Sequence, residues 1–164
     1  MPVTEPLAVV LIPGLLASAR LYAEQIPALW RTGAVTVADH TRDDSMPAIA
    51  RRILAGAPQR FALVGLSMGG YIAFEILRQA PERVVKLALL DTTARPDTPE
   101  QSAARRAQMA LASSGRLEEV VEAQFVRAVH VSRRADAELR AHDGLGDQLR
   151  AIGIAHGDRK ACAR

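Results

Sequence analysis

The sequence predicts an α/β fold, with a parallel sheet of about four strands flanked by helices and a helical C-terminal part. Three observations lead there. Four short runs are continuously apolar, with little alternation, which is the mark of strands buried on both faces. Helical patterns separate the first four runs, so strand and helix alternate. After Asp91 the strand-like runs stop and only helical periodicity remains.

Leu7–Ile12 (LAVVLI) is the first run, and Pro13-Gly14 ends it with a turn. Ala19–Trp30 then reads as a helix. Ala34–Ala38 (AVTVA) is the second strand. Met46–Ala55 is the next helix, with Asp44 or Ser45 at its N-cap and Pro47 in its first turn. Phe61–Leu66 (FALVGL) is the third strand, and Met68–Ala80 a helix that stops before Pro81. Val84–Leu90 (VVKLALL) is the fourth strand. The stretch TTARPDTPE is a loop with two prolines. Gln101–Ser113 and Leu117–Val129 are helical on either side of Gly115, and Asp136–Arg140 could form a further helix. From His142 four glycines interrupt the text and no strand pattern is visible, so 142–164 reads as an irregular tail. The expectation is one domain over 1–164, with 97–130 as a helical segment.

Composition excludes several classes. The chain has 164 residues, 49% hydrophobic and 24% charged, which suits a folded core and not a disordered chain. Aromatics are 4%, so the core must be aliphatic. Net charge is +3, but the arginines are scattered, lysine is confined to Lys86 and Lys160, and no basic stripe with interleaved aromatics exists. No nucleic-acid partner is expected. An excess of Arg and Ala fits GC-rich, bacterial-like coding. The single cysteine, Cys162, permits no intrachain disulfide and fits a reducing, cytoplasmic setting. Leu7–Ala19 superficially mimics a signal peptide. No Lys or Arg precedes it, Glu5 does, and Pro13-Gly14 breaks it; it also falls short of the ~20 residues of a membrane span. No membrane association is expected.

Chemistry concentrates at Gly65-Leu66-Ser67-Met68-Gly69, a G-x-S-x-G pattern. It falls where a strand ends and a helix begins. A sharp turn there exposes one side chain at its apex and needs small neighbours two residues before and after. Gly65 and Gly69 provide that room, and Gly70 adds more. The helix start behind Ser67 favours developing negative charge. A plain Gly/Ser turn is the alternative for the five residues alone.

FALVGLSMGGYIAFEILRQAPERVVKLALLDT resembles the central part of the α/β-hydrolase fold, in its small esterase-like branch; VVLIPGLLAS and TVADHTRDDSM resemble the segments before it. The resemblance spans about residues 7–130. It implies a sheet with the nucleophile strand near its middle, Ser67 as nucleophile, and the backbone N–H groups of Met68 and Leu15 as oxyanion donors. Where the family often has His-Gly, this chain has Pro13-Gly14. The implied reaction is hydrolysis of a carboxylic ester or related acyl substrate, with no cofactor and no metal. Asp43-Asp44 lacks metal-ligand spacing. The helices between Gln101 and Val129 resemble the family's lid region.

A serine needs a base, and the base an orienting acid. In the family's order both follow the serine, each after a further strand. No such strand is legible after Val129, so the resemblance implies the first two-thirds of the domain, apparently truncated at its C-terminus. Asp91 is the acid candidate, with a strand-end cap as its alternative. His130, His142 and His156 are base candidates, with surface histidines as theirs; His40 reads as a loop residue. A catalytically incomplete fragment or a non-catalytic binding module is therefore the alternative function. A nucleotide-binding reading ranks last, because Pro13-Gly14-Leu15-Leu16 lacks G-x-G-x-x-G. Missing strands would leave the fourth strand as an open edge, with self-association through it.

Overall fold

The computed structural model describes residues 6–136. Four parallel strands, β1 (Ala8–Ile12), β2 (Val35–Val37), β3 (Phe61–Leu66) and β4 (Val84–Leu90), form one sheet in the order β2-β1-β3-β4. The strand before the serine, β3, is thus internal, as the resemblance implied. The helices that follow are α1 (Ile26–Leu29), α2 (Met46–Gly56), α3 (Met68–Gln79), α4 (Pro99–Ser113) and α5 (Leu117–Ala128). Short 3-10 turns cover Ala19–Tyr22, Pro81–Arg83 and Val131–Arg133.

Both faces of the inner strands β1 and β3 are covered, which accounts for their continuous apolar runs. Successive strand residues point to opposite faces. Val10, Ile12, Phe61 and Leu63 pack with Ile49, Ala50 and Ile53 of α2 and Ile72, Ala73 and Ile76 of α3. Val9 and Leu11 turn the other way, onto Tyr22, Ile26 and Leu29, together with Ala62 and Val64. Helix α3 buries Gly69, Ile72, Ala73 and Ile76, the i, i+3, i+4, i+7 stripe of an amphipathic helix.

One expected element differs. Ala19–Trp30 is not one helix but a 3-10 turn followed by the single turn of α1. Pro27 is the physical reason. It has no N–H to give residue 23, and its ring would crowd that carbonyl, so a helix cannot run through it. Pro27 instead sits in the first turn of α1, where a missing donor costs nothing.

The chain divides into two compact units, one through Ala94 and one from Arg95. In the second unit, α4 begins with a capping box: the Gln101 N–H donates to the Thr98 hydroxyl, and the Thr98 N–H to the Gln101 side chain. It ends at Gly115, whose φ of 80° is the left-handed stop; the Arg116 N–H donates to the Leu111 carbonyl and the Gly115 N–H to Ala112. Helix α5 carries the buried Val120, Val121 and Phe125. The expected helix at Asp136–Arg140 and the tail 142–164 lie outside the described residues, apart from Asp136. Among the described residues, no helix is long and apolar enough to cross a membrane, and no group of three His, Cys, Asp or Glu could hold a metal ion.

Candidate active site

Ser67 sits at the junction of β3 and α3 with φ 52° and ψ −116°. A non-glycine residue in that region is strained by about 1–3 kcal/mol and persists only when its surroundings over-determine it. Those surroundings are visible. The Ser67 N–H donates to the Leu90 carbonyl at 2.9 Å, and its carbonyl accepts from the Gly70 N–H at 2.9 Å and the Thr92 hydroxyl at 2.8 Å. Strand β4 and the first turn of α3 therefore hold both backbone polar groups of Ser67.

The side chain is left over. A serine at a helix N-cap ordinarily accepts from the N–H of the second or third helical residue. Ser67 makes no such bond. Its conformation aims the hydroxyl outward, and the residue is exposed.

The flanking glycines are required by contact. A Cβ on Gly65 would lie 2.5 Å from the Gly69 carbonyl oxygen, and one on Gly69 would strike the Ile12 and Pro13 carbonyls. Strand, turn and helix meet there through bare backbone. On the other side, a Cβ on Gly14 would lie 3.4 Å from the Ser67 Cβ, so the Pro13-Gly14 turn passes directly beside the serine. That turn closes with the Ala17 N–H donating to the Gly14 carbonyl at 3.2 Å and has Leu16 at φ 60°. Pro13 and Gly14 are buried, and Leu15 at the turn's first corner is exposed. Met68 is the first residue of α3, where N–H groups have no partner within the helix. The structure thus brings together Ser67, Met68 and the turn bearing Leu15.

The acid and base candidates fall differently. Asp91 is exposed at the end of β4, between Leu90 and Thr92, which grip the Ser67 backbone, and has φ 45°. His130 caps the last 3-10 turn, its Nδ1 2.9 Å from the Ser132 hydroxyl. His142 and His156 lie outside the described residues. His40 is in a loop, as expected, but only 9% exposed. Its ring lies beside the backbone at Ala38 and Gly14, and burial holds its pKa below the ordinary histidine value despite the Asp39 carboxylate nearby. His40, the histidine described in the same unit as Ser67, does not hydrogen-bond its hydroxyl. The burial of His40 and the part played by Thr92 were not visible in the sequence, because their partners lie 26 and 25 residues away.

The family model described as the alpha/beta hydrolase fold matches residues 30–143. The chain belongs to the α/β-hydrolase fold family. A thermophilic esterase from Thermogutta terrifontis is similar in structure, with a TM-score of 0.68 and 26% identity over 84% of this chain and 56% of its own. Est816, described as an N-acyl homoserine lactone degrading enzyme, shows a TM-score of 0.58 and 21% identity over 90% of this chain and 65% of its own. A hydrolase from Pseudomonas aeruginosa PA01 shows 0.53 and 23% over 91% and 64%. The chain therefore spans less than two thirds of the length of each of these three. No curated protein matches it.

Proposed function

We propose that this α/β-hydrolase chain carries the nucleophile and oxyanion half of a serine hydrolase for carboxylic esters or related acyl substrates. The observation that carries the reading is Ser67: strained, exposed, and with a hydroxyl not spent on capping its own helix. The Ser67 oxygen attacks the acyl carbon while its proton passes to a base. The carbonyl π electrons move onto oxygen, and the N–H groups of Met68 and Leu15 donate hydrogen bonds to that oxyanion. Collapse expels the alcohol, which takes the proton, and water then releases the acid from the acyl-serine. The esterase from Thermogutta terrifontis, similar over most of this chain, supports the ester class. Asp91 is the residue to test as acid, and His130, His142 and His156 are the residues to test as base.

A second reading is favoured by one observation, that His40, the histidine described in the unit of Ser67, does not bond its hydroxyl. In it the chain keeps the turn as a catalytically incomplete, binding module. Fluorophosphonate labelling, with Ser67→Ala as control, separates the two. Labelling that vanishes in the variant supports an activated serine. A folded protein that does not label supports the second reading.

The reading also includes an association surface. Among the described residues β4 is a sheet edge; Val85, Leu87, Leu89 and Leu90 are each about 40% exposed there. Lys86 is the only charge on the strand. An apolar edge with so little charge pairs readily with a second copy.

A further inference from the structure

The turn that carries Leu15 is held by two buried polar side chains that have no part in the reaction as written. Tyr22 is one. Its ring lies in the apolar layer with Val9 and Leu11, and its hydroxyl donates to the Ile12 carbonyl at 3.0 Å. Ile12 is the last residue of β1, immediately before Pro13. A phenol placed in an apolar layer needs that partner, because an unpaired buried hydroxyl is costly. Burial pushes its pKa up to about 12, so it stays a donor at any working pH. His40 is the other. Its ring reaches the Gly14 backbone from the loop after β2. That neighbour favours the protonated ring, and burial opposes it more strongly.

Tyr22 and His40 therefore grip the two residues that bracket Pro13. From below, the first turn of α3 closes against the same place, where Gly69 meets the Ile12 and Pro13 carbonyls. That turn of α3 also presents the Met68 N–H. The grip thus fixes one oxyanion donor relative to the other. It also explains how Leu16 keeps φ 60° without being glycine, since such a conformation lasts only where neighbours leave no alternative.

We propose that Tyr22, together with His40, is a positioning residue for the oxyanion donor at Leu15. The proposal rests on the reading of Ser67, Met68 and Leu15 given above. Neither side chain touches substrate; Tyr22 acts through the Ile12 carbonyl it holds, and His40 through its packing beside the Gly14 backbone. Tyr22→Phe tests it most cleanly, because the ring volume stays and only the hydroxyl goes.

The test compares the full 164-residue chain with Tyr22→Phe, His40→Leu and His40→Gln. Three quantities are measured: the rate of fluorophosphonate labelling, amide hydrogen exchange along the chain, and the urea midpoint. The expected result for Tyr22→Phe and His40→Leu is labelling slower by about 10–100-fold, the scale of a donor misplaced by up to an ångström. Exchange at Ala17, whose N–H bonds the Gly14 carbonyl, should rise about tenfold while the β1 and β3 amides change little. His40→Gln keeps an N–H donor and should recover part of both. Unchanged exchange at Ala17, or a rise shared equally by the whole sheet, overturns the proposal, because the side chains would then serve general stability alone. If the unaltered chain does not label, the reading of Ser67 as an activated nucleophile falls for this chain, and the exchange pattern decides the clamp by itself. If Tyr22→Phe does not fold, the His40→Leu and His40→Gln pair decides it.

Discussion

Replacing Gly69 by alanine adds one methyl group where three backbone elements meet. That Cβ would lie against the Ile12 carbonyl oxygen, 2.7 Å from the Pro13 oxygen and 2.9 Å from the Ile12 carbonyl carbon. Ordinary contacts there need 3.4 Å or more, and none of the three atoms can swing aside, because β1 is locked in the sheet between β2 and β3. Either α3 moves off the sheet by about an ångström or the Pro13-Gly14 turn distorts. Overpacking of this kind costs about 1–3 kcal/mol, and contact with fixed backbone puts Gly69→Ala at the upper end. For a unit of under a hundred residues, each kcal/mol lowers the melting temperature by about 4–8 °C, so a fall of about 12–24 °C is expected. Gly56→Ala is the matched control. A Cβ there meets nothing within 4 Å. It should leave stability unchanged or raise it by up to about 1 kcal/mol. Thermal melts of the two variants beside the unaltered chain are the assay. If the two melt within about 2 °C of each other, the close approach of turn, strand and helix is not what the glycine serves.

Other outcomes follow from the same structure. Ser67→Gly relieves the strain at φ 52° and should stabilise the chain by about 1 kcal/mol in urea titrations, whereas Ser67→Ala, equally unreactive, should not. Arg83 donates to the carbonyls of Leu54, Ala57 and Pro58 and lies 5.7 Å from the centre of the Phe61 ring. Arg83→Met should cost about 2–3 kcal/mol, and Arg83→Lys should recover only part, because an ammonium cannot reach all three carbonyls. His40 is buried with its pKa below the ordinary 6.5, so folding resists the proton that the unfolded chain accepts. Stability should therefore be full above about pH 6.5 and fall as the pH drops from there through the folded value, with His40→Gln flattening the slope. Asp39 does not confuse that window. Hydrogen bonds from Thr41 lower its pKa to about 2, so its own contribution is lost only between its ordinary 3.8 and about 2. Finally, Leu87→Lys with Leu89→Lys should reduce concentration-dependent association in sedimentation velocity; a chain already monomeric at all concentrations would remove the edge-pairing reading.

What was legible in the sequence was what depends on near neighbours. The strand runs of β1 to β4 end at their own turn residues, and α2 and α3 announce themselves by apolar spacing and a bounding proline. The turn at Ser67 was legible because its glycines are two residues away on each side. Tyr22 and His40 were not, since each owes its place to a carbonyl of β1 or of the turn after it, 10 and 26 residues distant. The break in Ala19–Trp30 was legible in principle: Pro27 signals it, but eight positions of apolar spacing outweighed one proline. Strand β4 reads as apolar as β1, yet its residues after Val84 are exposed, because periodicity reports what a strand is suited to meet and not what covers it.

The strand order also sets a timetable. β1 is made first, yet it lies inside the sheet and needs both β2 and β3 beside it. Its partner Phe61 leaves the ribosome roughly fifty residues after Ile12, which at about 5–20 residues per second is a delay of about 3–10 s. Throughout that interval AVVLI is a sticky, half-paired segment in the part of the chain already outside the ribosome. Pairings this distant in sequence are also slow to find. Yield of folded protein should therefore depend on growth temperature and on chaperones that shield nascent apolar segments more than on the stability of the finished sheet.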